Sequence, residues 1–413
     1  MSTERKKTMV VGGGIAGLTA AWELARQGVD VELVEKSPFL GGYAIQFSCK
    51  AKAGECQQCG ACSVEKMLKN VVEEPNITVH LGTSVEKITG SGPFTASLAQ
   101  APAYIDPEKC TNCGVCYEKC PEKDAILRGY SKNNAPLYAI DGEKLPLIEA
   151  FAKDACPEGA ISIDAQGQAF EISADAVVMA TGFKPFDATI KGTYGYGKFS
   201  NVITGMDLER IKRENGTVVR PTDGKCPDKI AFIQCVGSRD ERLGNLWCSK
   251  VCCPYALRTA QTIKDKAPES DISVFYMDIQ NTGNNFPAFY ESCKSEFRFV
   301  RNIPVDIYPL ENDRVSMRYM NEEAGEAVIE EFDLVVLSHG IMPGADNPSL
   351  AELFGIELND DGFIRGTDEL NKTLTSKAGI FVAGTAEGPK TIATSMAHAG
   401  QSAREAVKYV GGA

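Results

Sequence analysis

The chain has 413 residues, 43 basic and 55 acidic side chains and a formal net charge of −12 at pH 7. That length is long for one core and predicts two domains or one interrupted domain. The acidic balance disfavours nucleic acid as a partner, and no stretch is long and apolar enough to span a bilayer.

Met1 to Met9 is polar and runs straight into strand-like sequence, so no signal peptide is expected and the protein reads as cytoplasmic. Fifteen cysteines in that compartment point to metal or redox sites rather than disulfides.

The first predicted strand, Thr8 to Val11, enters Gly12-Gly13-Gly14-Ile15-Ala16-Gly17, and a helix follows to Gln27. In Gly12-x-Gly14-x-x-Gly17 the first glycine permits a tight turn and the second lets backbone approach a pyrophosphate. The third lets helix pack on strand. The helix N-terminus offers amide donors and positive potential to phosphates. Glu35 ends the second predicted strand, Asp30 to Glu35, where an acid accepts from a ribose hydroxyl. Together these read as a dinucleotide-binding βαβ unit; the competing reading is a glycine turn without ligand. Cys56-x2-Cys59-x2-Cys62 comes next, with the spacing of a ferredoxin triplet. A further cluster completed by Cys49 or Cys120 fits that text, and so does a cysteine-rich loop of buried or redox-active thiols.

Phe94 to Leu98 reads as a strand, and a cysteine-rich insert then runs from about Tyr104 to Asp164. Cys110-x2-Cys113-x2-Cys116-x3-Cys120-Pro121 is the bacterial ferredoxin run, whose first three thiolates wrap a cubane with a fourth from a distant cysteine. Cys156-Pro157 offers that fourth ligand. A zinc knuckle is the competing reading, and the Cys-Pro pairs at both ends argue against it. The second half of the insert is degenerate: Leu145, Ile148 and Phe151 stand where a second triplet would place cysteines. One cluster, on Cys110, Cys113, Cys116 and Cys156, is therefore expected there, leaving Cys120 over.

Strand-like sequence resumes at Phe170 to Ile172 and Asp175 to Thr181, ending in Gly182. A second nucleotide-like unit begins at Lys229: strand Ile230 to Gln234, helix Lys250 to Lys266, strand Ile272 to Met277, three short strands, and a buried strand Leu334 to Leu337. Gly379 to Gly384 and the helix Thr391 to Tyr409 close the chain. In this second unit Cys235 stands at a strand end, and Cys248 and Cys252, four apart at the helix start, are expected to share a face that Cys253 does not. Glu209 to Glu214 reads as a solvated helix face, Tyr194 to Gly197 as a loop and contact surface, and Cys226, Cys293 and the three histidines as structural.

Glu35-Lys36, Gly41-Gly42, Ala180-Thr181-Gly182 and Gly379 to Gly384 resemble the two-dinucleotide flavoproteins, which implies FAD rather than NAD at the first unit. The implied contacts are Gly12, Gly14, Ile15, Ala16 and Gly17 at the turn, then Glu35, Lys36, Gly41, Gly42 and Val85, and finally Ala180, Thr181, Gly182, Gly384 and Thr385. Thr385 replaces the usual acid.

The text around Cys235-Val236-Gly237-Ser238-Arg239 and Cys248 to Cys253-Pro254 resembles heterodisulfide reductase A subunits. Among these it is most similar to the A subunits of the quinone-interacting membrane-bound oxidoreductases of sulfate reducers. The resemblance implies a 4Fe–4S cluster on Cys235, Cys248, Cys252 and Cys253. Two cubanes are thus expected, and Cys56, Cys59 and Cys62 allow a third. Heterodisulfide reductase A subunits usually carry extra cluster-bearing regions at both ends with no counterpart in this sequence, which weighs against bifurcation by this chain alone.

The expected fold is α/β: a thioredoxin-reductase-like flavoprotein with two dinucleotide-binding domains and a ferredoxin-like insert. Its expected segments are a flavin domain at 1–103, the insert at 104–165, flavin-domain continuation at 166–225, a second domain at 226–340 and a return at 341–413. The resemblance implies an electron-transfer protein of a larger complex with three partners: a second flavin and iron–sulfur subunit, a haem-bearing membrane subunit that meets quinol, and adenylylsulfate reductase. Membrane association would come through a partner. The rival is a self-contained NAD(P)H-dependent flavin and iron–sulfur reductase, and a non-redox structural subunit is the third reading.

Overall fold

Two five-stranded parallel sheets organise the chain. The computed structural model describes residues 5–122, 124–280, 286–322, 325–367 and 370–411, so residues 1–4 of the polar start lie outside the described residues. The first sheet runs in the order Ile380–Val382, Ala176–Met179, Lys7–Val11, Asp30–Val34, Ile77–His80. Its strands are near-continuous apolar runs because both faces are covered. Helices Ile15–Ala25 and Ile392–Tyr409 pack on one face through Leu18, Leu24, Ala399 and Ala403. An antiparallel sheet of Thr83–Gly90, Phe94–Gln100 and Gln168–Ala174 covers the other through Phe94 and Leu98.

The insert leaves after Gln100 and returns at Gln168, which pair directly, and an Ile105–Ile161 bridge closes its neck. It has its own small core of Ala125, Ile126, Ile140, Ile148 and Ala152, with Leu145 and Phe151 packed against it. The three apolar residues in the places of the missing cysteines thus supply the packing of the insert's second half. Arg213 lies over the Tyr130 ring at 3.8 Å and ties the insert to helix Gly205–Asn215.

The second sheet runs Val202–Thr204, Leu334–His339, Lys229–Val236, Asp271–Phe275, Arg298–Val300. It begins earlier in the chain than position 226. Phe186, Ala188, Tyr194 and Val202 belong to its core, and Val202–Thr204 pairs with Leu334–His339. A three-residue strand with no glycine motif ahead of it left no mark in the sequence. The chain crosses between the units twice, and the crossings pair with each other: Lys184–Pro185 lies antiparallel to Ile341–Met342.

Several polar readings are corrected. Tyr194 is buried and donates to the Pro304 carbonyl at 2.9 Å, so that segment is core rather than contact surface. Cys226 is exposed, whereas Cys293 is fully buried. Glu209 and Lys212 are buried within the helix read as solvated. The Glu209 carboxylate accepts from the Ser48 amide at 2.7 Å and the Ser48 hydroxyl at 2.6 Å, and it pairs with the equally buried Lys50.

Burial alone would raise Glu209, but the Lys50 charge and these hydrogen bonds hold its carboxyl below the ordinary 4.5. Its stabilisation is therefore present above that value and fades as pH falls through the lower folded-state value. Lys50→Met strands a buried charge and is expected to cost about 3–5 kcal/mol at pH 7. Urea midpoints read the loss, and the difference between the two proteins is expected to shrink in acid.

Candidate functional site

A cavity of about 570 Å³ lies between the two sheets and the insert. Gly12, Gly14, Ile15 and Ala16 form one wall, with Glu35, Gly41, Gly42, Ala180, Thr181, Gly182 and Thr385 around it. Eleven of the fifteen residues expected at the flavin are thus brought to one surface. The other four are not. Gly17 packs under the turn, where an added Cβ would lie 1.7 Å from the Gly12 carbonyl oxygen. Gly384 seats itself on Ala16, its Cβ position being 2.4 Å from that methyl. Val85 packs against the apolar cluster beside Phe94. Lys36 points to solvent and pairs with Asp346 at 2.7 Å, because the chain has already left the sheet at Val34.

The cradle fits a dinucleotide. Helix Ile15–Ala25 starts at Gly14 with no side-chain cap and no acid in its first turn, so its amides are free for an anion. An added Cβ on Gly14 would meet nothing nearer than the Gly42 Cα at 4.0 Å, so the space beyond it belongs to the cavity. Glu35 accepts from the amides of Gly13 and Ser37. Burial pushes its carboxyl above the ordinary value, against the pull of those two bonds. The Thr181 hydroxyl is buried without a partner among the described residues, as a group awaiting a ligand would be.

The same cavity reaches the cysteines of the second unit. Cys252 lies in its wall, as does Cys59 of the early triplet. Cys235 sits within strand Lys229–Val236, at a bulge and with φ of 58°. Cys252 and Cys253 open helix Cys252–Lys266. Cys248 is not on that helix: Lys250, at φ 62°, turns the chain before it begins. The shared helical face is therefore replaced by a loop thiol facing a helix N-terminus.

The set nevertheless converges. The Cys252 thiol meets Cys235 and pushes its pKa up, as burial does. For Cys252 the contact with Cys235 lowers the value, but Cys253 and burial outweigh it and bring the thiol to about 12. In the insert, burial and then the neighbours Cys110, Cys156 and Cys113 raise Cys116, so those four also gather. Cys120 stands aside, donating to the Glu122 carbonyl at 3.3 Å. Among the described residues no group of three or more His, Cys, Asp or Glu side chains closes tightly enough for a single metal ion. Each set brings cysteines of the kind that hold a four-iron cube to one place.

Residues 10–54 match the NAD(P)-binding Rossmann-like domain family, and residues 103–123 the 4Fe-4S binding domain family. The chain is 36% identical to the iron–sulfur A subunit of the CoB–CoM heterodisulfide reductase of Methanocaldococcus jannaschii, over 95% of this chain and 63% of that protein. It is 34% identical to the A subunit of the H2:CoB–CoM heterodisulfide, ferredoxin reductase of Methanothermobacter marburgensis, over 98% and 64%. The chain is homologous to heterodisulfide reductase A subunits. It spans just under two thirds of the length of these relatives.

For this A-subunit homologue the solved thioredoxin reductases share the fold. That of T. acidophilum superposes with a TM-score of 0.55 at 14% identity over 98% of this chain and 99% of its own. That of Lactococcus lactis gives 0.54 at 15% over 98% and 99%. The expected thioredoxin-reductase-like α/β fold with an iron–sulfur insert is therefore present. No helix among the described residues is long and apolar enough to cross a membrane.

Three wall residues were not expected at the site from the sequence, and one of them, His339, was expected to be structural. Ser338 and His339, at the C-terminal end of Leu334–His339, line the cavity, and the Ser338 hydroxyl and His339 Nδ1 have no partner among the described residues. Burial holds His339 below its ordinary value and hence neutral at pH 7. The third is Lys50. Ligands gather outside the carboxyl ends of parallel strands, and that rule alone could have flagged Ser338 and His339. His398 fits its structural reading: its Nδ1 accepts from the Gly384 amide at 3.1 Å, and burial lowers it to about 4.

Proposed function

We propose that this chain is the FAD and 4Fe–4S electron-transfer component of a larger oxidoreductase. The observation that carries the reading is one continuous cavity with the Gly14 cradle in one wall and Cys252 in another. Gly12, Gly14 and the start of helix Ile15–Ala25 would hold the pyrophosphate, and Glu35 the ribose. FAD, when bound, supplies one- and two-electron chemistry. The residues of the chain position it, exclude water and set the surroundings of the cysteine-held clusters. Two cubanes follow from this reading: one on Cys110, Cys113, Cys116 and Cys156, one on Cys235, Cys248, Cys252 and Cys253.

By its likeness in sequence to the quinone-interacting A subunits, the protein would link a quinone pool to adenylylsulfate reductase. It would work beside two partners, a second flavin and iron–sulfur protein and a haem-bearing membrane protein, and meet the membrane only through the latter. Gentle anaerobic preparation from the native source is expected to bring down the haem protein with this chain. Recovery solely as a free monomer with its own turnover would favour the self-contained reductase.

NADH and NADPH are not expected to reduce the flavin directly. A second dinucleotide site needs a glycine turn leading at once into a helix. Here Cys235 takes the first glycine's place, and the helix begins only at Cys252. The Phe186 ring occupies the space over Gly237, 2.1 Å from where a Cβ would stand. Arg239 is tied to Asp278 and Asp240 to Lys191, so the arginine has its charge already matched. Anaerobic mixing with excess NADH or NADPH while watching flavin absorbance tests this; rapid bleaching by either would overturn it.

A further inference from the structure

The early cysteine triplet folds as a copy of the ferredoxin loop. In Cys110 to Cys116 the left-handed residues are Asn112, at φ 55°, and Gly114, at φ 80° and ψ −4°, and Gly114 is the N-cap of helix Val115–Glu118. In Cys56 to Cys62 they are Gln58, at φ 52°, and Gly60, at φ 84° and ψ −6°, and Gly60 is the N-cap of helix Ala61–Glu73. The third cysteine stands at the second helical position in both. Two segments that share the pattern Cys-x-x-Cys-Gly-x-Cys thus make the same wrap, with left-handed backbone at Gln58 as at Asn112.

A fourth thiol is delivered to this loop by a hairpin. Lys52 and Glu55 pair across a turn in which Ala53 and Gly54 both have positive φ, at 49° and 82°. That turn sends the chain carrying Cys49 back toward the loop that begins at Cys56. Cys49, Cys56 and Cys59 all lie within electrostatic reach of the Cys62 thiol. Sulfur-directed amides accompany them: Ala51 N–H to Cys49 Sγ and Gln58 N–H to Cys56 Sγ, each at 3.4 Å. In the insert the Ala160 amide meets Cys156 at 3.3 Å in the same way. Cys120 belongs to the insert core and is not part of this group.

We propose that Cys49, Cys56, Cys59 and Cys62 hold a third 4Fe–4S cluster against the flavin cavity. Cys59 lines that cavity, and the other three thiols are exposed, so the cluster would stand between the cavity and the protein surface. The loop is held for this. Lys50 pairs with Glu209, Lys52 with Glu296 at 2.5 Å, the Ala53 amide donates to Asp265 at 3.2 Å, and Arg258 donates to the Gln57 carbonyl at 2.9 Å. Arg258 also brings positive charge near Cys59, which offsets the negative charge of a thiolate-held cluster. The Gln57 side-chain amide is buried without a partner among the described residues, a donor that cluster sulfur could satisfy.

The proposal rests on the reading of the cysteine sets as cubane sites, and its test separates the two. Anaerobically prepared chain is expected to hold about twelve irons and twelve sulfides, about four per cubane. The double variant C56A/C62A is expected to lose a third of them, keep its flavin and keep the paramagnetic signals assigned through Cys113 and Cys252. C49S is expected to lose the same third, and C120S none. About eight irons in the unaltered chain, zinc in the loop, or loss of iron from C120S would each overturn the third cluster alone. Absence of the Cys113 and Cys252 signals as well would overturn the underlying reading. Should the variants not fold, alkylation of the unaltered protein decides: Cys49, Cys56 and Cys62 are expected to resist iodoacetamide until the iron is chelated. Modification of these exposed thiols before chelation would count against the cluster.

Discussion

Gly14→Val is expected to give a folded chain without flavin. The three glycines of the turn differ in what a side chain would meet. At Gly12 a Cβ would stand 2.3 Å from the Ala180 carbonyl oxygen, and φ there is 106°. At Gly17 it would stand 1.7 Å from the Gly12 carbonyl oxygen. Both positions are glycine because the protein itself fills the space. Gly14 has ordinary extended backbone, at φ −74° and ψ −176°, and open space in front of it. A valine there is compatible with the backbone and projects into the place of the pyrophosphate.

The competing effect is small. Gly14 is the helix N-cap, where valine is poorer than glycine by about 1 kcal/mol, well within the usual 5–15 kcal/mol of a stable domain. Flavin content per chain is expected to fall from about one to near zero, with circular dichroism and the iron signals retained. Gly17→Val is the control that should fail to fold. Full flavin in Gly14→Val would remove the assignment of this cradle, whatever else the chain binds.

What could be read in the sequence was chemistry confined to a few neighbouring residues. The glycine turn, its strand and helix, and the ferredoxin run are local patterns, and each occupies the place it implied. Leu145, Ile148 and Phe151 were also legible, as cysteines replaced by apolar residues, though only the structure shows them building a core.

The unread features depend on distant partners. Glu209-Arg210-Ile211-Lys212-Arg213-Glu214 is polar in all but one place, and nothing in it marks Glu209 as buried. Its partner Lys50 is 159 positions away. The four-residue step from Cys248 to Cys252 suggested one helical face, but a left-handed Lys250 interrupts it. Lys36 follows an acid at a strand end, as flavin contacts do, yet it turns outward to Asp346 from a chain that reaches it 310 residues later. His339 had no ligand spacing to announce it; its place at the cavity comes from the strand that carries it.

Cys252→Ser is expected to abolish one cluster and leave the others and the flavin in place. Cys252 is the buried first residue of helix Cys252–Lys266, 4% exposed, and touches Cys235 and Cys253 while facing the cavity. A serine fits the space of the thiol but is a weak ligand for iron, since soft thiolates are what these clusters select. The change is therefore aimed at the cofactor and not at packing. Iron is expected to fall by about four per chain, with loss of one paramagnetic signal. Cys113→Ser is expected to remove a different signal, because its set rests on the separate core of Ile126, Ile140 and Ile148. Independence of the two losses is the discriminating result. If Cys252→Ser kept all its iron, the second set would be a redox-active thiol cluster. If it lost both signals and the flavin together, the effect would lie in folding. Cys235→Ser, at the strand bulge on a different element of the set, then separates those cases: a cluster ligand loses the same roughly four irons from either position.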